Sequence, residues 1–411
     1  MRRITRRLII MALCCLVTSG LLSGLRVEAS TVLDYSKFMD DGDSWWNDRE
    51  SFDLTDPERV WRYLTREVTV LDAGAQSPVY LLDMPNGERV KKGQYEGFLY
   101  GSSVSVHVLE ISGEWAYVEG YDMTDDLIQG WVRASLLKKV KPSELYGIVV
   151  DKQSQRLYLY TDGRLLSTLK ISTGLPTSAK PHQETAAGEY LIVSWTGGFW
   201  ADNLWCELAL RFNGGDLLHL VPSLVAEDGT KDYSTTEPYL GQRASHGCIR
   251  TQRVKTSDGI NMQWLWDNLK LNTKLIVWDD DGRPMYYPDP DMMLYYNPNG
   301  GRYYHADERC PSVRNQYLPL EGVIRYEQLR DETYSKLAAC EACGPPVSPQ
   351  RIDQVNEREG YTREQVEAMQ GYRGHGQVEA AADSEKVGVA EVESVVVSDE
   401  IGGVIEFEVI E

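Results

Sequence analysis

The sequence predicts a mainly β protein built from several modules, and three observations carry that reading. Short runs rich in β-branched and aromatic residues recur from residue 67 to residue 279. Gly, Asn and Asp residues sit between them as turns. Helical patterning is confined to a few short stretches. The chain has 411 residues and is 42 % hydrophobic, enough for a sizeable core and for two or three domains at ~150 residues each. Its net charge of −20 argues against nucleic acid or an anionic membrane surface as the main partner, because neither gains counterion release from an acidic protein.

Residues 1–29 read as a signal peptide. Arg2, Arg3, Arg6 and Arg7 form a basic start, Leu8 to Leu22 is mostly apolar, and Val27-Glu28-Ala29 offers small residues at a cleavage site before Ser30. The expected protein is exported, with no stable membrane span after cleavage; an uncleaved N-terminal anchor is the alternative. Residues 30–66 are a polar linker in which Pro57 to Leu64 forms a short helix capped by Thr55 or Asp56.

Residues 67–140 read as short strands. Val68-Thr69-Val70-Leu71, Val79-Tyr80-Leu81-Leu82, Val104 to Val108 and Trp115-Ala116-Tyr117-Val118 are separated by turns at Asn86-Gly87, Gly101 and Gly113. Residues 145–279 continue the pattern with Ile148 to Asp151, Arg156 to Tyr160, Leu165 to Ile171 and a closing strand Thr273 to Trp278. One helix is expected at Asn261 to Leu269, entered from Ser257 or Asp258. Residues 280–346 are rich in Tyr and Pro and contain a Cys/His cluster. Residues 350–411 read as a charged helix (Arg351 to Met369) fading into an acidic tail. Gln377 to Glu411 holds ten carboxylates against Lys386 alone, so the stretch from Gly371 onward is expected to be disordered.

Without the signal, five cysteines remain: Cys206, Cys248, Cys310, Cys340 and Cys343. An odd number leaves at least one thiol free or metal-bound even where disulfides form. Cys248 lies in the run Ser245-His246-Gly247-Cys248-Ile249-Arg250. A thiol can act as a nucleophile when a nearby His or oriented N–H groups favour its thiolate. Gly247 permits a sharp turn, and the N–H groups of Gly247 and Cys248 are candidates to face an oxyanion. Either His246 or His219, in the strand-like Leu217-Leu218-His219-Leu220-Val221, could serve as the base.

The run Ser245 to Arg250 resembles the active-site signature of the L,D-transpeptidase family. The order of parts around it is similar too: the hairpin Ile148 to Tyr160, the strand ending Ser172-Thr173-Gly174, and the turn Thr185-Ala186-Ala187-Gly188 before Tyr190. The resemblance covers residues 145–279 and implies a β-sandwich with the cysteine at one end of a sheet. It implies that Cys248 attacks the third-residue carbonyl of a peptidoglycan tetrapeptide stem, expels D-alanine, and passes the acyl group to an acceptor amine. It implies His219 as the catalytic base, His246 as a residue shaping the site, Arg250 as a partner for a stem carboxylate, and Ser245 as a turn residue. No cofactor is expected for catalysis. The alternatives are a wall L,D-peptidase and a non-catalytic wall-binding protein. Three departures stand out. Leu220 follows His219 where the family has Gly, Ala186 replaces a common Pro, and residues 220–244 form a longer gap that suggests an inserted loop, a lid at the mouth of the site. Cys206 is expected to be a small buried apolar residue.

Gly113, Trp115, Val118, Gly130, Trp131, Val132 and Leu137 resemble the pattern of a bacterial SH3-like domain. Such domains often bind wall peptides; a barrel that only packs against its neighbour is the other reading. His305-x4-Cys310 and Cys340-x2-Cys343 supply four N/S ligands suited to tetrahedral zinc, and resemble a small zinc-binding motif. A Cys340–Cys343 redox pair and a disulfide from Cys310 are the competing readings.

Overall fold

The structure is a computed structural model that describes residues 34–93 and 95–371. The expected signal peptide, residues 1–29, and the acidic stretch Gln377 to Glu411 lie outside the described residues. Among the described residues no helix is long and apolar enough to cross a membrane. The chain forms two compact bodies. The first runs to Asp280 and takes in Cys310–Arg314 and Cys340–Gly344. The second holds Asp281–Arg309, Asn315–Ala339 and the chain from Pro345 onward.

The centre of the first body is a nine-stranded sheet, whose strands we number in chain order: β1 (Gly147–Asp151), β2 (Arg156–Thr161), β3 (Arg164–Ser172), β4 (Gly188–Leu191), β5 (Ser194–Ala201), β6 (Leu204–Asn213), β7 (Asp216–Leu220), β8 (Ile249–Thr251) and β9 (Lys274–Trp278). They lie in the order β4-β9-β1-β2-β3-β8-β7-β6-β5. Pairing is antiparallel except at β1/β9 and β7/β8. β1 and β7 are buried along their whole length, as strands covered on both faces must be. The sheet folds over itself, so that Tyr190 on β4 meets Phe212 on β6 edge-on at 5.4 Å. Ile148, Val150, Leu157, Leu159, Leu210, Leu218, Ile249 and Val277 join them in one core. The mainly β character is what the strand pattern predicted, and the β-sandwich is what the family resemblance implied.

The helix Pro57–Thr65 starts as expected, with Pro57 in the first turn and the Asp56 side chain accepting the Arg59 N–H (3.0 Å). It buries Val60, Tyr63 and Leu64 with Trp45, Trp46 and Phe52 against Val149 and Ile276 of the sheet. The polar-looking N-terminal stretch is thus a cover for one sheet face. The helix Met262–Asn268 is capped by Asn261, whose side chain accepts the Trp264 N–H (3.1 Å). Ser257 and Asp258, the expected entry residues, lie instead in the preceding turn at Gly259, whose φ is +81°.

Residues 67–140 form small sheets: His107–Ser112, Trp115–Tyr121 and Leu127–Arg133 pair in a meander, and Pro78–Tyr80 pairs with Phe98–Tyr100. Val68–Leu71 pairs with Leu137–Val140 and brings the two ends of the module together. Gly130 is required there, because a Cβ would stand 2.7 Å from Leu81 Cβ and 2.9 Å from the Leu82 carbonyl.

The second body is a four-stranded sheet of Gly322–Arg325, Met293–Tyr296, Tyr303–His305 and Ala338–Ala339. The expected single helix from Arg351 to Met369 is two. Pro349–Arg358 ends near Gly360 (φ +82°), and a second helix spans 363–371. The break follows from glycine's access to left-handed backbone. The first of these helices is not a separate appendage, because Ile352 and Val355 pack with Leu294, Tyr304, Ile324 and Tyr326 in the core of this body.

A buried ionic chain ties three parts of the first body together. His107 reaches Asp40 through Nδ1 (3.1 Å) and Glu189 through Nε2 (3.3 Å), and Glu189 is also paired with Lys274. Trp46 stacks on the His107 ring at 4.0 Å. Burial opposes the charged imidazole, but the bonds to Asp40 and Glu189 outweigh it and hold its pKa above the usual 6.5. The stabilisation is therefore fully present below pH 6.5 and is lost as pH rises through the folded value. Urea denaturation between pH 6 and 9 should show stability falling with pH in the wild type, and a flatter profile in His107→Gln.

Candidate active site

The site is assembled where β7 and β8 run parallel. Leu218 faces Ile249 and His219 faces Arg250 across the pair. Side chains alternate along a strand and paired residues share a face. Cys248 sits in the bend just before β8, and Arg250 acts on both the Cys248 thiol and the His219 ring. His246 is exposed beside them, while His219 is only 2 % exposed.

The turn that presents the thiol is closely held. Gly247 has φ +116°, and a Cβ there would meet Asp216 Oδ1 at 2.4 Å, so no other residue fits. The Ser245 hydroxyl donates to the Cys248 carbonyl, and the Gly247 N–H donates to Ser245 Oγ (3.2 Å). Ser245 is thus a turn residue. The Gly247 N–H, expected to face an oxyanion, is instead engaged by the turn itself. Thr185 Oγ1 donates to the Gly247 carbonyl (2.6 Å) and accepts the Gly174 N–H (2.8 Å). The Leu175 N–H donates to the Ser245 carbonyl (3.0 Å). The Ser172-Thr173-Gly174 strand end and the Thr185 turn are therefore knitted directly to the cysteine loop.

Beneath Thr185 lies a buried charge network. Glu184 pairs with Arg243 (2.7 Å) and Lys152 (3.2 Å). Lys152 also meets Asp125, Asp279 and Asp280. Asp125 comes from residues 67–140 and accepts the Ala187 N–H (2.6 Å), so that module braces the loop that Thr185 ties to the cysteine turn.

His219 Nδ1 lies 2.6 Å from the Leu220 carbonyl. A carbonyl only accepts, so Nδ1 carries the hydrogen and Nε2 keeps its lone pair. Phe199 packs edge-on against the ring at 5.6 Å. Burial pulls the His219 pKa down to about 4, with the Leu220 carbonyl opposing and Arg250 assisting. Burial pushes the Cys248 thiol up to about 12, with Asp216 adding to the rise and the Leu217 N–H opposing it. Near neutral pH Cys248 rests as a thiol and His219 as a neutral imidazole.

The long gap before Cys248 is not a free loop. Leu224–Val225 pairs with Lys231–Asp232 as a small hairpin. Lys231 and Tyr233 fasten it to Glu207 on β6 at 2.6 and 3.3 Å, so the extra residues leave the His219 strand undisturbed. Cys206 is buried, and burial raises its thiol to about 11.

Residues 145–277 match the family model of YkuD, the L,D-transpeptidase catalytic domain. This region is an L,D-transpeptidase catalytic domain. Among solved structures, the chain is similar to L,D-transpeptidases from Mycobacterium smegmatis (16 % identity, 40 % of this chain and 67 % of that one, TM-score 0.25) and Mycobacterium tuberculosis H37Rv (17 %, 40 % and 66 %, TM-score 0.25). It is similar also to one from Stackebrandtia nassauensis (20 %, 34 % and 58 %, TM-score 0.23). The chain thus spans about two thirds or less of the length of these structures. A search of curated proteins found no match.

Sequence reasoning missed Asp216 and the Glu184–Arg243–Lys152 network, and took Thr185 only as part of a turn. Asp216 had a signal, a lone acid opening an otherwise apolar strand. The network had none, since its members are scattered from 125 to 280.

Of the second cysteine constellation, Cys310, Cys340 and Cys343 belong to the first body, with 3.7 Å between the sulfurs of Cys310 and Cys340, and His305 belongs to the second.

Replacing Thr185 by Val keeps its shape but strips two hydrogen bonds from the cysteine loop. Leaving a buried carbonyl and N–H unpaired costs about 1–3 kcal/mol each. Thr185→Val should lower the denaturation midpoint and slow alkylation of Cys248, read by peptide mass spectrometry.

Proposed function

We propose that the protein is an exported peptidoglycan L,D-transpeptidase in which Cys248 is the nucleophile and His219 the base. The observation that supports this is the Nδ1 bond of His219 to the Leu220 carbonyl, which leaves Nε2 with its lone pair, in a strand paired with the one that follows Cys248. The Cys248 proton passes to Nε2 as sulfur attacks the third-residue carbonyl of a tetrapeptide stem. The tetrahedral intermediate collapses by breaking the bond to the terminal D-alanine, whose nitrogen takes the proton from the imidazolium. An acceptor amine from a second stem then attacks the thioester and loses its proton to His219, and that proton returns to the departing sulfur. The reaction requires no cofactor. Arg250, half-buried beside Cys248, suits a stem carboxylate, and exposed His246 shapes the mouth.

The substrate places the protein outside the cytoplasmic membrane, associated with the cell wall. Residues 67–140 are read as an SH3-like module that adds contact with wall peptides. The reading of a non-catalytic wall protein drew its support from the unusual spacing before Cys248, and the hairpin at 224–232 accounts for that spacing. The comparison that separates transfer from hydrolysis is product analysis with purified disaccharide tetrapeptide. Cross-linked dimer should form with wild type and be absent with Cys248→Ala. His219→Gln should slow it by about a hundred- to ten-thousand-fold. Release of tripeptide with no dimer would make the protein a peptidase.

His305, Cys310, Cys340 and Cys343 are proposed to hold a structural zinc ion, since all four ligands come from protein and leave no open position. Metal-depleted protein should take up one equivalent of Zn²⁺ in competition with a chromophoric chelator, and Cys340→Ser should weaken the uptake. No uptake would leave the cluster as free thiols.

A further inference from the structure

Asp216 opens β7, and its carboxyl and the neighbouring Leu217 N–H both act on the Cys248 thiol. The carboxyl of Asp216 lies under the cysteine turn, with Oδ1 against Gly247. Its other oxygen, Oδ2, is fully buried and has no hydrogen-bond partner among the described residues. A buried, unpaired carboxylate is costly, and nothing in the turn requires an acid here. The fold could satisfy the position with an apolar residue, as it does at Leu217 and Leu218.

We propose that Asp216 is a positioning residue of the active site, whose buried carboxyl, set beside Cys248 without a cation of its own, governs when the thiol gives up its proton. This rests on the reading of Cys248 as nucleophile. Two acids so placed cannot both ionise freely, and their protons leave in succession as a pair. Burial raises the Asp216 pKa well above the carboxylate range, and Glu184 raises it further. Other charged and titratable groups face the pair from every side. Glu184 precedes β4 but is paired to Arg243 and Lys152. Tyr100 comes from residues 67–140, Tyr190 from β4, Cys206 from β6 and Arg250 from β8. Arg250 faces the two thiols and is the cation of this group, whereas Asp216 has no cation among its partners. Asp216 therefore acts as a brake: it keeps the idle site protonated and leaves thiolate formation to transfer onto His219 during attack.

The test is the pH profile of Cys248 alkylation by iodoacetamide, followed on the Cys248 peptide by mass spectrometry. This readout needs no wall substrate, so failure of acyl transfer would leave it intact. Asp216→Asn should move the alkylation midpoint down by about 1–3 pH units, while Cys206 reactivity stays as in wild type. An unchanged or higher midpoint in folded Asp216→Asn would overturn the proposal. If that variant does not fold, carbon-13 labelled aspartate in the otherwise unaltered protein gives the same information. One carboxyl should stay protonated at neutral pH and titrate lower in Cys248→Ser. No carboxyl responding to Cys248→Ser would overturn it equally.

Discussion

The parallel pairing of Asp216–Leu220 with Ile249–Thr251 is the constraint on which the site depends. Register decides which side chains share a face, and a slip of one residue would turn His219 away from the face of Arg250. Everything around the pair holds that register. Gly247 admits the turn that delivers the cysteine to its strand, and Thr185 ties that turn to the Gly174 strand end. The Glu184–Arg243–Lys152 network anchors Thr185 from below. The module at 67–140 reaches the same network through Asp125.

The electrostatics follow from burial. The buried His219 imidazole and the half-buried Cys248 thiol both favour their neutral forms, because removal from water penalises charge. The resting pair is consequently unreactive towards passing electrophiles, and reaction needs a bound acyl donor to draw the proton across. A buried acid beside the thiol strengthens that resting state. The price is a slower intrinsic thiol, and the gain is selectivity for a substrate that fills the site.

Much of this was legible in the sequence. The strand pattern foretold a mainly β protein, because alternation and turn residues report local burial, and the family resemblance implied the sandwich. The Ser245 to Arg250 run marked the candidate nucleophile, and His219 could be found as a lone histidine in a strand-like run. What was not legible depends on distant parts of the chain. Asp125, Lys152, Glu184, Arg243 and Asp280 meet only after folding. The helix cap at Asn261 rather than Ser257 turned on a local turn at Gly259. The inserted stretch before Cys248 read as a lid, yet Lys231 and Tyr233 pin it to β6. The Gly247 N–H looked available for an oxyanion until the Ser245 hydroxyl claimed it.

The central claim is that Cys248 becomes acylated by a stem peptide. Intact-mass and peptide-mapping analysis of the protein after brief exposure to disaccharide tetrapeptide tests it most directly. The account predicts a covalent adduct on Cys248 whose mass equals the stem without its terminal D-alanine, with free D-alanine released in equal amount. Substrate that binds without any adduct, or an adduct that persists in Cys248→Ala, would contradict it.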